Sequence, residues 1–300
     1  MEWIVLYYTI LYYTSTQINL FSIIKPMNAT LTPNELSDAS VKKEENRESI
    51  PVKKPRAKRQ PVANKCLKTS FFEDDKVTND DKKGEYTYDY EMGMDEVGRG
   101  PMFGRVYAAA AILPKDFDHS QMKDSKKFHS KKKIVQVAEY IKSHAIAYSI
   151  QYEDESVIDS INILQASQSA MHKCVSDIMK TTSLHNHSFH SKNTLLLVDG
   201  NYFNPHTKFN KDTGKIEQIH HKCVEGGDNT YSSIAAASIL AKVARDQYID
   251  DLCAEHPELA ERYSIDTNKG YGSKKHMDGI KQFGITQWHR KSFGICAQFA

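Results

Sequence analysis

Two apolar segments that each end in carboxylates constrain this chain most. The first runs through Gly93-Met94 into the pair Asp95-Glu96 and then into a Gly-Arg-Gly turn at residues 98–100. The second, Thr194–Asp199, is a continuous apolar run that ends in Asp199, which is typical of a buried central strand. Strand ends provide rigid backbone that solvent can reach. If the two strands are neighbours, their carboxylates meet at one edge of a sheet.

The hydrophobic periodicity of the remaining chain predicts an α/β fold with a mixed central sheet flanked by helices and with a helical C-terminal part. Residues 201–221 are longer and more polar than a tight connection needs, and Lys211–Lys215 predicts a turn that caps a hairpin. The predicted strands are Tyr88–Asp95, Val106–Leu113, Ala145–Tyr152 and Thr194–Asp199, and the predicted helices are Lys131–Ser143, Ile163–Met179, Tyr231–Cys253 and Lys274–Phe283.

Length and composition divide the chain into a tail and one folded domain. The 300 residues are 40% hydrophobic, enough for one core with an appendage. The net charge of +2 says little, but Lys42–Lys65 is strongly basic, contains three prolines and has almost no large apolar residues. We therefore predict an N-terminal extension at 1–85, mostly disordered and basic with an apolar leader at 1–26, and a folded domain at 86–300.

The leader and the cysteines bear on location. Trp3–Ile24 carries no charge, but polar residues interrupt it and no basic residues precede it, so we expect no stable membrane partner. Translation could start at Met1 or at Met27.

Five scattered cysteines without a CxxC pair indicate free thiols in a reducing compartment. We expect a cytoplasmic protein; the basic run 53–59 resembles a nuclear localisation signal, and a tail that tethers nucleic acid explains it equally well.

The carboxylates predict a metal centre. Asp228 follows two glycines and precedes the longest predicted helix, so it is a further candidate beside Asp95, Glu96 and Asp199. Clustered carboxylates repel one another until a cation binds, and hard oxygen ligands suit Mg²⁺ or Mn²⁺. Taken singly, Asp199 and Asp228 are better explained as a helix cap or a turn residue. Asp246 forms an Arg-Asp pair inside a helix, which favours a structural role.

The chain resembles type 2 ribonuclease H, also called ribonuclease HII, over roughly residues 88–296. Short blocks in the family's order carry the resemblance, whereas the first 85 or so residues show none. The blocks are Asp95–Pro101, Asp124–Lys127, Asn162–Ser167, Leu197–Gly200, Gly226–Asp228, Ile234–Lys242, Asn268–Gly272 and His289–Phe293.

The resemblance implies a ribonuclease H-like fold and a metal-dependent endonuclease. Its catalytic metal ligands would be Asp95, Glu96, Asp199 and Asp228, with Mg²⁺ or Mn²⁺ as cofactor. The implied substrates are RNA–DNA hybrids and duplex DNA with embedded ribonucleotides, cut 5′ of the ribonucleotide to leave 3′-hydroxyl and 5′-phosphate ends. The turn Gly98-Arg99-Gly100 and Tyr271 would read the 2′-hydroxyl together; without the resemblance, Tyr271 is better explained as a surface aromatic.

Lysines and a short peptide are weaker candidates. Lys126, Lys127 and Lys242 could contact backbone phosphates, although each also suits a solvated surface. Residues 65–72 end like a sliding-clamp-binding peptide, but Leu67 falls one position early and the leading Gln is missing. We expect a monomer. His185, His187 and His190 suit a surface loop better than a metal site.

Two rival functions stay open on the sequence. One is a type 3 ribonuclease H or another ribonuclease H-like nuclease, against which the Gly-Arg-Gly and Lys-Gly-Tyr-Gly combination argues. The other is a non-catalytic nucleic-acid-binding paralogue, which the presence of all four carboxylates disfavours. The chain departs from the expected pattern at Val97, at Arg105 and at Gly226-Gly227.

Overall fold

The structure, a computed structural model, describes residues 66–71, 88–122, 128, 130–180, 187–211 and 213–300. These residues belong to one unit, Gln60–Ala300. The leader, the basic run 53–59, His185 and the pair Lys126-Lys127 lie outside the described residues. In the part of the chain that is described, no helix combines the length and the apolar character needed to cross a bilayer.

A mixed five-stranded sheet forms the centre of the fold. The strands in chain order are β1 (Tyr90–Val97), β2 (Val106–Ile112), β3 (Ala147–Glu153), β4 (Thr194–Asp199), β5 (Thr207–Asn210), β6 (Lys215–Gln218) and β7 (His220–Val224). The sheet order is β3-β2-β1-β4-β7. Strand β2 is antiparallel to β1 and β3, whereas β4 is parallel to both β1 and β7. Strands β5 and β6 form a separate hairpin, which confirms the predicted turn.

Helices cover both faces of this sheet, and the predicted fold class is confirmed. The helices are α1 (Lys131–His144), α2 (Glu155–Lys180), α3 (Ser232–Glu255), α4 (Pro257–Tyr263), α5 (Ile265–Asn268) and α6 (Lys274–Phe283). Helices α1 and α3 bury apolar residues against one face, and α2 buries Met171, Cys174 and Ile178 against the other. The small helices after α3 enclose a C-terminal core around Phe103 and Tyr263.

Helix α3 approaches β1 unusually closely, which fixes the strand that carries Asp95. A Cβ added to Gly93 would stand 2.1 Å from the backbone carbon of Ser233, so only glycine fits there. The first turns of α3 are rich in alanine, and Ala235, Ala236 and Ala237 are fully buried. Small residues on both elements therefore allow the backbone of α3 to pack directly against β1.

The prediction contained no strand at β7, the sheet neighbour of β4, and it placed the start of α2 too late. The sequence predicted a helix from Ile163, but the helical segment begins at Glu155 and is interrupted at Asn162, whose φ is 68° and ψ is 164°. Each part has its own cap: Asp154 Oδ1 accepts from the Val157 N–H, and Asn162 Oδ1 accepts from the Gln165 N–H. Short polar side chains compete for backbone donors at such positions, and here they start two helical runs in succession.

Residues 66–71, which we call the strap, lie within the predicted extension yet pack against the domain. Leu67 is buried among apolar residues of α1 and α3. Lys68 forms an isolated parallel bridge with Tyr231, and Phe71 packs on the ring of Tyr231. Packing thus begins before residue 86.

Candidate active site

Asp95 and Asp199 meet at the same edge of the sheet because β1 and β4 are parallel neighbours. The register pairs Gly93 with Leu197 and Met94 with Val198, so the next positions are Asp95 and Asp199. Asp95 is only 8% exposed, and its Oδ1 accepts from the Glu96 N–H at 2.7 Å. The parallel register therefore places carboxylates side by side at two adjacent strand ends.

These carboxylates interact electrostatically. Burial raises the pKa of Asp95 well above its ordinary value, and the charges of Asp199 and Glu96 raise it further against an opposing hydrogen bond from Ser238. Burial also raises the pKa of Glu96, against the ion pair with Arg99 and with a further upward contribution from Asp199. Negative charge at this edge is thus costly in the absence of a cation.

Asp228 joins this edge through the main chain. It lies in a 3₁₀ turn, Gly227–Asn229, and is 5% exposed. The Gly227 N–H donates to Asp199 Oδ1 at 2.7 Å, so the turn that carries Asp228 is bonded directly to a second carboxylate. Asp228 Oδ1 accepts from Asn229 Nδ2 at 2.9 Å. A Cβ at Gly227 would stand 2.5 Å from Ile234 Cδ1 and 3.3 Å from Asp199 Oδ1, so a side chain here would have to displace the end of the Ile234 side chain.

The chemistry of the four carboxylates suits a hard divalent cation. All their donors are oxygens, and the repulsion between Asp95 and Asp199 is what a cation relieves. Among the described residues, no three His, Cys, Asp or Glu side chains are grouped so that they could hold a metal ion as they stand. Binding a metal here therefore requires side-chain adjustment.

The Gly-Arg-Gly turn continues directly from these carboxylates. Gly98 has φ +92° and lies against Arg245, so a side chain is excluded there. Arg99 is exposed and pairs with Glu96 at 3.1 Å. A Cβ at Gly100 would stand 3.4 Å from Cε1 of Tyr271, and the Tyr271 side chain is half exposed. The structure thus brings the turn and the tyrosine together, with the tyrosine ring reachable from solvent.

Buried arginines, which the sequence analysis did not single out, hold this turn. Arg290 is fully buried and donates to the carbonyl oxygens of Gly98, Arg99, Pro101 and Gly104 at 2.6, 3.1, 2.7 and 2.8 Å. Arg245 donates to the carbonyls of Phe103, Arg105 and Lys269. Burial, with the nearby Arg245, lowers the pKa of Arg290 to about 9, which leaves it charged at neutral pH. The only sequence signal for Arg290 was its place in the block His289–Phe293, which resembles the family.

Two buried histidines connect the backbone of Tyr271 to the C-terminal part. The Thr286 N–H donates to His289 Nδ1 at 2.9 Å, and His276 Nδ1 bonds the Tyr271 carbonyl at 2.9 Å. The two Nε2 atoms stand 3.1 Å apart. Since an N–H only donates and a carbonyl only accepts, both rings are neutral and His289 Nε2–H donates to His276 Nε2.

This arrangement makes the fold sensitive to acid. Burial, and then His276, lowers the pKa of His289 to about 3, while burial lowers the pKa of His276. Burial, and then His172, lowers the pKa of His206 to about 4. The unfolded chain takes up these protons below about pH 6.5, so stability is fully present above that pH and falls as the pH drops.

We expect the free energy of unfolding to fall by up to about 1.4 kcal/mol per pH unit for each such histidine, from about pH 6.5 towards pH 4. Urea unfolding across that range measures the slope. His289→Gln keeps a donor and an acceptor without titrating, so its slope should be shallower than that of the unsubstituted protein. The exposed His190 offers the control, and His190→Gln should leave the slope unchanged. An unchanged slope in His289→Gln contradicts the assignment.

The other residues that the sequence analysis discussed make contacts of their own. Lys242 Nζ pairs with Asp246 at 2.5 Å along α3, and His187 Nδ1 bonds Tyr90 Oη. Arg105, where the chain departs from the family's expected pattern, stacks on the rings of Tyr152 and Tyr248 at 4.1 and 4.5 Å. None of these contacts by itself indicates a role in binding nucleic acid.

The mixed sheet with helices on both faces is the fold of the ribonuclease H-like class. The structure is similar to ribonuclease H2 from Pyrococcus horikoshii, with a TM-score of 0.52 and 20% identity over 70% of this chain and 96% of that one, which shows the fold. The sequence is 41% identical over 203 residues to ribonuclease HII of Cytophaga hutchinsonii, covering 68% of this chain and 88% of the relative. It is 42% identical over 205 residues to ribonuclease HII of Bacteroides thetaiotaomicron, covering 68% and 90%.

Residues 92–296 match the sequence model of the ribonuclease HII family, and the chain belongs to that family. It is therefore a ribonuclease H endonuclease, as the resemblance implied. Membership argues against both rivals, the type 3 enzyme and the non-catalytic paralogue.

Proposed function

We propose that this ribonuclease H hydrolyses the RNA strand of RNA–DNA hybrids and also incises duplex DNA 5′ of an embedded ribonucleotide, leaving 3′-hydroxyl and 5′-phosphate ends. One observation carries the proposal. The half-exposed ring of Tyr271 lies against Gly100, in the turn that directly follows Asp95 and Glu96. A group able to contact a sugar thus lies against the turn that follows the carboxylates proposed to hold a metal.

The proposed metal ligands are Asp95, Glu96, Asp199 and Asp228, and the proposed ions are Mg²⁺ or Mn²⁺. When bound, such ions supply an activated water nucleophile and stabilise the leaving 3′-oxygen. The protein's own contribution is to hold carboxylates on the rigid ends of β1 and β4, where Asp199 is oriented by the Gly227 N–H. Arg99, which pairs with Glu96, is exposed enough to turn to a phosphate.

Discrimination of ribose from deoxyribose is assigned to Gly98-Arg99-Gly100 and Tyr271. Glycine leaves the backbone N–H and C=O groups of the turn open to a 2′-hydroxyl, which both donates and accepts. The Tyr271 phenol can bond the same hydroxyl while its ring stacks on the next sugar. Arg290 holds four carbonyls of this loop, so the turn is pre-organised before substrate binds.

Removing the phenol or the ring of Tyr271 tests the proposal. We expect Tyr271→Phe to lower kcat/KM on a single embedded ribonucleotide about tenfold through the lost hydrogen bond, and Tyr271→Ala to lower it about 100-fold. A long hybrid offers many ribonucleotides and should lose less. The measurement is cleavage of both duplexes with Mg²⁺ or Mn²⁺, with mapping of the cut ends.

Tyr148, an exposed tyrosine on β3, provides the matched control. Tyr148→Phe should leave cleavage of both substrates unchanged. Equal losses on both substrates in the Tyr271 variants would assign the ring to general duplex binding. Cuts placed 3′ of the ribonucleotide would overturn the proposed incision chemistry.

The partners and location complete the proposal. Lys126, Lys127 and Lys242 are proposed phosphate contacts, and Lys242 must first leave Asp246. A sliding clamp is a proposed partner through 65–72; because Leu67 is buried, a clamp can bind this peptide only when the strap leaves the domain. We propose a cytoplasmic monomer, with nuclear entry through the run 53–59.

A further inference from the structure

The strap is bonded to the chain on both sides of Tyr231. The Lys68 N–H donates to the Thr230 carbonyl at 2.7 Å, and the Ser232 N–H donates to the Lys68 carbonyl at 2.9 Å. Thr230 immediately follows the 3₁₀ turn of Asp228, and Ser232 is the first residue of α3. The strap therefore supplies a donor to the end of that turn and an acceptor to a helix N-terminal N–H, which has no partner within the helix.

Further contacts fix the strap to three parts of the domain. Leu67 is 8% exposed and belongs to the core cluster of α1 and α3. The Phe71 N–H donates to both carboxylate oxygens of Glu91 on β1, at 3.1 and 3.0 Å. The Phe71 ring lies 5.8 Å from that of Tyr231, and Cys66 Sγ lies 3.8 Å from His119 Nε2. The strap is thus anchored independently of its bonds to Thr230 and Ser232.

The residue that enters the turn of Asp228 has open space where a side chain would be. Gly226, which enters it, has φ +65°, and no atom stands within 4 Å of where its Cβ would be. Glycine has the largest conformational freedom to lose on ordering. The turn is closed by bonds from the Asn229 N–H and Thr230 Oγ1 to the Gly226 carbonyl and from the Thr230 and Tyr231 N–H groups to the Gly227 carbonyl. Its bonds to the rest of the domain include the Gly227 bond to Asp199 and, after the turn, the strap bonds.

We propose that the strap is a positioning element for Asp228, and that residues outside the matched region 92–296 thereby tune metal binding. The inference rests on the proposed role of Asp228 as a metal ligand. Strap bonds hold Thr230 and Ser232, and through them the orientation of the Asp228 turn. Loosening the strap weakens the metal site while the surface that contacts nucleic acid is left in place.

Lys68→Pro in the full chain tests this inference, because it removes the N–H that donates to Thr230. Lys68→Ala is the matched control, since it keeps both backbone bonds. We expect Lys68→Pro to weaken Mg²⁺ binding about fivefold or more, the factor that corresponds to one net hydrogen bond, as measured by titration calorimetry on the protein without nucleic acid. The Mg²⁺ concentration for half-maximal cleavage should rise by the same factor. KM for the hybrid should stay unchanged. Phe71→Ala, which removes the contact with Tyr231, should act in the same direction and serves if the proline variant does not fold.

Two further variants separate the outcomes. Ile178 lies in the core on the opposite face of the sheet. The Mg²⁺ requirement of Ile178→Val therefore shows how much a general loss of stability changes that requirement. An equal Mg²⁺ shift in Ile178→Val, or none in Lys68→Pro and Phe71→Ala, overturns the strap inference. Asp228→Asn tests the site itself. Full activity of Asp228→Asn would overturn the proposed role of Asp228 as a metal ligand. If Asp228→Asn is inactive but the strap variants behave like the unsubstituted protein, only the strap inference is overturned.

Discussion

Asp95→Asn is expected to abolish hydrolysis while leaving a more stable protein. The proposed metal ligand is lost, so cleavage of a long hybrid should fall at least about 10³-fold, because metal stabilisation of charge contributes several kcal/mol. In EDTA the same substitution removes a buried charge that Asp199 and Glu96 repel. The temperature of unfolding should therefore rise. Activity assays and thermal unfolding with and without Mg²⁺ measure both effects.

A substitution that lowers activity but raises stability has removed a functional group, whereas ordinary structural damage lowers both. Mg²⁺ should raise the unfolding temperature of the unsubstituted protein and do so less in Asp95→Asn, since a ligand stabilises only the state that binds it. Asp251, which accepts from Gln247 on the surface of α3, offers a control with the same chemistry. Asp251→Asn should change neither quantity, and an active Asp95→Asn would contradict the assignment.

Arg290→Lys is expected to lower both stability and activity. A planar guanidinium donates to four carbonyls of the loop Gly98–Gly104 at once, whereas a buried ammonium offers three donors from one point. We expect the free energy of unfolding to fall by about 3 kcal/mol, the usual order for breaking a buried charged network. Cleavage should fall about 100-fold, because a loop displaced by an ångström misplaces bound substrate.

The control for Arg290 is a surface arginine. Arg262 lies 5.3 Å over the ring of Phe283, whose side chain is partly exposed, and Arg262→Lys should change the free energy of unfolding by less than about 0.5 kcal/mol. Urea unfolding and hybrid cleavage give both numbers. A stable, fully active Arg290→Lys protein would show that the loop holds its conformation without the guanidinium fork.

Local sequence patterns predicted the strands and helices around the carboxylates well. The run Thr194–Asp199 is a strand with the predicted bounds, and Lys274–Phe283 is a helix with the predicted bounds. These signals are local, since hydrophobic periodicity is set by the geometry of a single element. The start of α2 was missed because Asn162 interrupts the helix by a side-chain bond that competes with the helical pattern.

The sequence by itself determined the fold class, the family and the candidate carboxylates, because these depend on patterns and motifs written along the chain. Only the tertiary structure decided that β1 and β4 are parallel neighbours, which is what brings Asp95 beside Asp199. It also decided the role of Arg290, which reaches carbonyls nearly two hundred positions away, and the docking of the strap beside Asp228. Such contacts form between distant segments when buried polar groups must find partners, and no local pattern specifies which partner lies opposite.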